Sequence, residues 1–440
     1  FMTNRTLLET ARQYNTPCYL FDLDAFTSRI HRMGEILGKQ VNICYAMKAN
    51  PFLTAAAART AAGLEVCSPG EYAICRRAHV PARNIVLSGV NKEEAHIRSV
   101  MAEQGAGTYT AESLNQLLLL ETCAAAAGLT GVRVLLRLTS GNQFGMDEED
   151  VLASIRNRGS YPHLDLTGLQ YYSGTQKKGL ERIKKELEKL DLLLGFVREQ
   201  LDFEFRELEY GPGFQIPYFE GQEQPDEEIL LQEFKKSLDS LDFKGIIFLE
   251  AGRFLAAPCG SYLTRVVDIK RSLGQNYCIV DGGINHVNYY GQTMAMKVPA
   301  YRYLPQDNPA RRQKPEHGAI VMDGNKTFMA SGHPPGDDTP ASGRWTVCGS
   351  LCTSGDILVK NLPLEGLTIG DLLVFDRIGA YSVTEGIYLF LSRKLPAVLT
   401  YTQKQGLSLV RDVLPTDMLN DGSAAQIYQS QSGSSKRSDT

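Results

Sequence analysis

The chain has 440 residues, of which 43% are hydrophobic and 22% charged, enough apolar material for a large buried core and too much for disorder over most of its length. Its 46 Lys plus Arg against 50 Asp plus Glu give a formal charge of -4, and no segment gathers basic residues, so neither nucleic acid nor anionic membrane is an expected partner. No apolar run reaches about 18 residues and no basic stretch leads into one near the start, which predicts a cytoplasmic protein without a membrane span or a visible export signal.

A chain of this length suggests two or three domains unless a barrel absorbs about 250 residues. The expected division is an N-terminal segment, 1–24, whose strand Cys18 to Phe21 packs with a β domain; an α/β barrel over 25–262; the β domain itself over 263–420; and a disordered tail over 421–440, rich in Ser, Gln and Gly.

From about Val41 to Arg253, short apolar or β-branched runs alternate with amphipathic stretches, the pattern of repeated βα units around a buried parallel sheet. The runs are Ile43 to Met47, Leu64 to Cys67, Ile85 to Ser88, Thr108 to Thr110, Val132 to Leu138, Leu166 to Tyr171, Glu207 to Tyr210 and Ile246 to Leu249. Eight strands within about 210 residues match a (β/α)8 TIM barrel. Between them, Gly70 to His79, Ala111 to Ala127 and Gly179 to Gln200 carry apolar residues at helical spacing and read as outer helices. A doubly wound open sheet would give a similar alternation, but the polar residues favour the barrel. Lys48, Glu65, Arg137, Tyr172, the Gly211-Pro212-Gly213 turn and Glu250 with Gly252 and Arg253 stand at the C-terminal ends of six strands, where barrel enzymes place their chemistry.

Beyond Arg253 the pattern turns to strands without long helices: Tyr262 to Ile269, Tyr277 to Val280, Ala319 to Met322, Trp345 to Cys348, Leu372 to Asp376 and Tyr388 to Leu391. The stretch from about Pro305 to Gly343, rich in Pro, Gly and Arg, reads as an insertion in this all-β region. Nine irregularly spaced cysteines read as reduced thiols, and the closer pairs, Cys67 with Cys75 and Cys348 with Cys352, lack the spacing of a zinc site, so no metal is expected.

Lys48 follows an apolar run at once, where an amine is costly unless it is used. A partly desolvated lysine has a lowered pKa and can attack an aldehyde, holding pyridoxal 5'-phosphate as a Schiff base. Such chemistry needs a phosphate site and an acid for the pyridine nitrogen. Gly211-Pro212-Gly213 offers a turn whose backbone can approach phosphate, and Glu250-Ala251-Gly252-Arg253 offers an acid, a permissive glycine and a cation. Taken alone, each has a plainer reading: a strand-end lysine in solvent, an ordinary turn, a structural ion pair.

Together with further motifs these stretches make the chain resemble the fold-type III pyridoxal-phosphate decarboxylases, which include diaminopimelate and ornithine decarboxylases. The likeness runs from about Thr16 to Leu399 through YAMKAN at Tyr45 to Asn50, LLRL at Arg137, QFGM at Gln143 to Met146, SGTQ at Ser173 to Gln176 and GPGFQIPY at Gly211 to Tyr218. It continues through EAGR at Glu250 to Arg253, DGGIN at Asp281 to Asn285, GSLCTSGD at Gly349 to Asp356 and GAYS at Gly379 to Ser382. The resemblance implies an alanine racemase-like barrel plus a C-terminal β domain. It implies that Lys48 is the Schiff-base lysine, that Glu250 keeps the pyridine nitrogen protonated, and that Thr175, Gly213, Arg253 and Tyr381 surround the phosphate. It further implies that Tyr172 stacks on the ring and that Cys352, reaching in from the neighbouring subunit of a homodimer, returns the proton after carbon dioxide leaves.

The pattern also departs from that family. Tyr172 stands where a histidine is usual, Thr353 where diaminopimelate enzymes have an acid, and Tyr289-Tyr290-Gly291-Gln292 where they have an arginine-proline segment for the distal carboxylate. A zwitterionic distal end would be left unpaired, at a cost of several kcal/mol, roughly. The combination is similar to relatives that decarboxylate an amino acid joined to an acyl carrier protein, as in butirosin assembly. The expected activity is therefore α-decarboxylation of an amino acid or amino acid conjugate. The alternatives are meso-diaminopimelate decarboxylation, racemisation at Cα and a non-catalytic binding role.

Overall fold

A computed structural model describes residues 2–223, 225–289, 294–306, 320–323, 326–329 and 342–421. Strand β1 (Cys18–Asp22) comes first, and eight parallel strands then close into a barrel in sequence order. They are β2 (Val41–Ala46), β3 (Gly63–Val66), β4 (Ile85–Leu87), β5 (Thr108–Ala111), β6 (Val132–Arg137), β7 (Leu164–Tyr172), β8 (Glu207–Gly211) and β9 (Ile246–Ala251). β9 pairs with β2, Val41 opposite Ile247 and Cys44 opposite Glu250, so the sheet has no free edge.

Local sequence explains the alternation. Ser68 ends the path from β3 and caps the helix Pro69–Arg77 by accepting from the Glu71 N–H, with Pro69 supplying a preset φ in the first turn. Ser113 does the same after β5 for the helix Leu114–Ala126. Outward-facing strand residues such as Leu64, Val66, Val134, Leu136 and Leu249 pack on the apolar faces of these helices in one continuous core.

The interior is more polar than a barrel of branched aliphatics. Cys44, Val86 and Leu135 form a thin apolar layer, and beside it Glu209, 1% exposed, accepts from Gln170 Nε2 at 2.7 Å. Burial, followed by the nearby Glu250 and Glu65 carboxylates, pushes the Glu209 carboxyl far above the usual range, so it sits in the barrel as a neutral acid.

The second part is a β domain. Strands β10 (Gly260–Ser272), β11 (Gln275–Val280) and β12 (Tyr301–Leu304) are followed by a short hairpin of β13 (Ile320–Asp323) and β14 (Lys326–Met329). Then come β15 (Ser342–Cys348), β16 (Ile357–Glu365), β17 (Leu372–Asp376), β18 (Ala397–Thr402) and β19 (Gly406–Arg411). The main sheet runs β16-β15-β11-β10-β1-β18-β19, with β17 pairing both β10 and β12. β1 lies within it, antiparallel to β10 and parallel to β18, and a helix, Asn4–Gln13, precedes it.

One expectation is corrected. Tyr388 to Leu391 is not a strand but a turn leading into a 3-10 segment at Phe390–Ser392: Leu391 adopts φ 60° and Leu389, Phe390 and Leu391 stay largely exposed, so the apolar run finds no sheet partner. Lys48 stands just past the end of β2, in the 3-10 turn Met47–Ala49. Of the expected insertion, 307–319, 324–325 and 330–341 lie outside the described residues, as does the tail from 422. No helix among the described residues is long and apolar enough to cross a membrane.

Candidate active site

At the C-terminal mouth of the barrel lies a cavity with about 440 Å³ of space free of protein atoms, open solvent included. Lys48, Tyr172, Thr175, Gly213, Glu250, Gly252, Arg253 and Tyr381 all line it, as do Ala46, Pro212, Phe214 and Phe254. Residues from four strand ends and one β-domain turn thus converge on one space.

Lys48 is held by two acids. Its Nζ donates to Glu65 Oε2 at 2.7 Å and to Glu250 Oε1 at 3.3 Å, and the two glutamate side chains are 2% and 8% exposed. The expected lowering of the amine pKa is overturned. Burial does act to lower it, but the charges of Glu65 and Glu250 outweigh burial and hold the ammonium well above its ordinary value. Glu65 and Glu250 respond in opposite senses. Burial and the neighbouring Glu65 charge push the Glu250 carboxyl up to about 7, whereas Glu65, despite the opposing effect of burial, is drawn down to about 2 by Lys48 and by a hydrogen bond from Glu250. The pair therefore holds a proton near neutrality, and it resides on Glu250.

At the opposite side of the cavity two turns meet. Gly213 has φ 64°, and a Cβ there would fall 2.1 Å from the Gly174 carbonyl oxygen, so glycine alone lets this turn pass against the Ser173 to Lys177 loop. The Lys177 N–H donates to Gly213 O at 2.9 Å, tying the two turns together. Gly211 does not line the cavity; a Cβ there would sit 2.5 Å from the Tyr172 ring, so its role is to let Tyr172 lie flat against the strand. Arg253 donates from Nη1 to Tyr218 Oη at 2.9 Å, and its guanidinium lies 4.4 Å from the Tyr381 ring centroid. Burial pushes the phenols of Tyr172, to about 12, and of Tyr218 and Tyr381 upward, leaving all three neutral donors.

The β domain is pinned to the lysine turn. The Tyr381 N–H donates to Ala49 O at 2.6 Å, and Asn50 Nδ2 donates to Gly379 O at 2.9 Å. Tyr381 itself takes φ 69°, the bend that carries its ring over Arg253.

Two further expected residues, Arg137 and Cys352, stand elsewhere. Arg137 is one step removed, donating to Glu112 Oε1 at 3.1 Å and covering the Phe144 ring. Cys352 is exposed and does not line this cavity. His286, just after the DGGIN stretch, is buried in the β domain, where its Nδ1 pairs with the Tyr262 hydroxyl at 2.8 Å and burial drives its pKa to about 3. Sequence reasoning missed Glu112 and Tyr218. Glu112 carried a readable signal, an acid just past β5, whereas Tyr218 lay within a quoted motif without a role.

These features suit pyridoxal phosphate: an amine for an aldehyde, an acid able to hold a proton for a ring nitrogen, a flat aromatic wall, and at the far side a glycine turn, a hydroxyl and a guanidinium for a phosphate. Fold and site define a barrel enzyme built around a carboxylate-clamped lysine. Residues 23–257, more than half of the chain, match the family model described as pyridoxal-dependent decarboxylase, pyridoxal binding domain. The chain belongs to this family and is a pyridoxal-phosphate-dependent carboxy-lyase.

Relatives are distant but span nearly the full length. The chain is 25% identical over 408 residues to an L-glutamyl-[BtrI acyl-carrier protein] decarboxylase of Niallia circulans, covering 88% of each. It is 26% identical over 400 residues to a diaminopimelate decarboxylase of Zymomonas mobilis, covering 86% of each. Its fold superposes on the diaminopimelate decarboxylase of Helicobacter pylori complexed with L-lysine with a TM-score of 0.77, at 22% identity, over 95% of this chain and 100% of that one.

Proposed function

We propose that the chain removes the α-carboxylate of an amino acid carried as a conjugate, with an acyl carrier protein as the bearer, and that it works as a homodimer with shared active sites. The observation that carries the catalytic reading is Lys48 clamped between Glu65 and Glu250 at the floor of a cavity whose other wall is a glycine turn with an arginine.

Bound there, pyridoxal phosphate supplies an electron sink for the pair released when the bond from Cα to the carboxylate breaks. The protein's residues do the rest. Lys48 Nζ is the attachment point, and Glu65, at 2.7 Å, aims it. To react, Nζ must surrender a proton, and Glu250, 3.3 Å away with a carboxyl that titrates near 7, is placed to take it in the fraction of molecules in which that carboxyl is ionised. With that proton, Glu250 can in turn serve a ring nitrogen. Tyr172 forms a flat wall, and Thr175, the Gly213 turn and Arg253 receive the phosphate. Arg137 acts at one remove, by placing Glu112 and the Phe144 ring beside the mouth.

Cys352 is the proton donor to Cα. Its exposure and its distance from its own cavity's lining support delivery into a partner's site, and the largely exposed Ile387, Leu389, Phe390 and Leu391 supply apolar surface for such a contact. The conjugate reading is supported by two described residues on the distal side, Tyr289 and Thr353. Tyr289 is fully buried, donates to Asp376 O at 2.9 Å and packs on Tyr218 and Phe219, so it offers no charge to a distal carboxylate. Thr353 likewise supplies none. The carrier-protein relative adds weight to the same reading.

Carbon dioxide release tests this. An aminoacyl thioester on a carrier protein should turn over, and free meso-diaminopimelate should not; the reverse preference would remove the conjugate reading. Mixing inactive Lys48→Ala and Cys352→Ala chains should restore part of the activity through hybrid dimers, and no recovery would remove the shared site.

A further inference from the structure

Glu186 lies on the helix Glu181–Gln200, outside the cavity, and is 9% exposed. Its one carboxylate accepts four hydrogen bonds: from Ser173 Oγ at 2.5 Å, Lys177 Nζ at 2.7 Å, Tyr210 Oη at 2.7 Å and Arg182 Nε at 3.0 Å. Ser173 and Lys177 are the two ends of the loop that carries Thr175, and Tyr210 immediately precedes the Gly211-Pro212-Gly213 turn. A single acid thus grips both turns that face the cavity. Arg182 reinforces it by donating from Nη2 to Ser173 O at 3.0 Å.

Four bonds to one carboxylate exhaust its acceptor sites and fix the loop's ends relative to β8. The tolerance is small, since the Gly174 carbonyl and Gly213 pass so closely that even a Cβ does not fit between them. The Lys177 side chain is 2% exposed, so its ammonium depends on Glu186 for its charge to be tolerated. Lys177 and Arg182 against Glu186 also leave one net positive charge behind the cradle, the sign that favours a dianion.

We propose that Glu186 is the positioning residue of the phosphate cradle, holding the Ser173 to Lys177 loop and the Gly211 to Gly213 turn in the one arrangement that accepts the cofactor's 5'-phosphate. This rests on the reading of the cavity as the pyridoxal-phosphate site. Residues that orient a first layer of ligands are commonly worth about 10- to 100-fold in affinity.

The test compares dissociation constants of the full-length chain for pyridoxal 5'-phosphate and for pyridoxal, which lacks the phosphate, followed by the absorbance of the bound aldehyde. Wild type should prefer the phosphorylated form; no binding of either, or no preference, would sink the underlying reading. Glu186→Gln should reduce that preference by about tenfold or more while leaving pyridoxal within about threefold of wild type. Because a buried Lys177 without its partner can compromise folding, the double variant Glu186→Gln with Lys177→Met removes both charges at near-constant volume and should show the same selective loss. Glu186→Asp should recover part of it. An unchanged preference in the variants, with wild type behaving as expected, would overturn the role of Glu186, as would equal weakening of both aldehydes.

Discussion

Replacing Gly213 by alanine probes the cradle most sharply. The residue sits at φ 64°, where an alanine costs about 1 to 2 kcal/mol over glycine. The new Cβ would lie 2.1 Å from Gly174 O, 3.1 Å from Gly174 C and 3.2 Å from Thr175 Cα, all backbone atoms, so the two turns must part by about an ångström. Parting them stretches the 2.9 Å bond from the Lys177 N–H to Gly213 O, worth about 1 kcal/mol, and overpacking adds about 1 to 3 kcal/mol. The sum is about 3 to 6 kcal/mol. If the parted turns can no longer both meet the phosphate, the loss appears in cofactor affinity at about 1.4 kcal/mol per tenfold, or a factor of about 10² to 10⁴. Titrating the apo chain with pyridoxal phosphate reads the affinity, and its thermal midpoint reads any general damage. A Gly213→Ala chain that binds the cofactor within about threefold of wild type would refute the packing argument.

The neutral Glu209 inside the barrel makes a pH prediction. Its folded pKa is raised well above the ordinary 4.5, by burial first and then by Glu250 and Glu65, so its contribution to stability is complete below the unfolded pKa and is lost as pH rises toward the folded one. Glu209→Gln, permanently neutral, should match wild type near about pH 4.5 and gain on it by up to about 1.4 kcal/mol per pH unit above that, seen in urea midpoints of the apo chain; parallel profiles would contradict a protonated Glu209. Asp356 secures the turn bearing Cys352, accepting from the Ile284 N–H at 2.8 Å and the Leu351 N–H at 2.7 Å while 3% exposed. Asp356→Ala should cut carbon dioxide release about as deeply as Cys352→Ala while cofactor binding in the Lys48 cavity stays near wild type. Full activity in that variant would show that the turn holds its shape without the carboxylate.

Much of this was legible because barrel strands announce themselves twice, as apolar runs and as polar residues at their C-terminal ends. Lys48, Tyr172, Gly213, Glu250 and Arg253 could be picked out on that ground, and all five line one cavity. What escaped depends on contacts between distant residues. Glu112 takes its place by pairing with Arg137, and Tyr218 by bonding to Arg253, and neither separation follows from local periodicity. The amine's charge state was misjudged for the same reason: Glu65 and Glu250 are readable at their strand ends, but that both come within 3.3 Å of Nζ depends on how β2, β3 and β9 pair. In the β domain, β16 was overlooked because Pro363 and the φ of 58° at Asn361 interrupt its pattern, features an edge strand tolerates. Tyr388 to Leu391 erred the other way, an apolar run in which Leu389, Phe390 and Leu391 are exposed and pair with no strand.

Reduction with borohydride after loading with pyridoxal phosphate, followed by peptide mapping, examines the lysine directly. The cofactor should be fixed to the peptide spanning Tyr45 to Asn50, on Lys48. Labelling of Lys92 or Lys177 instead, or no stable adduct, would contradict the account.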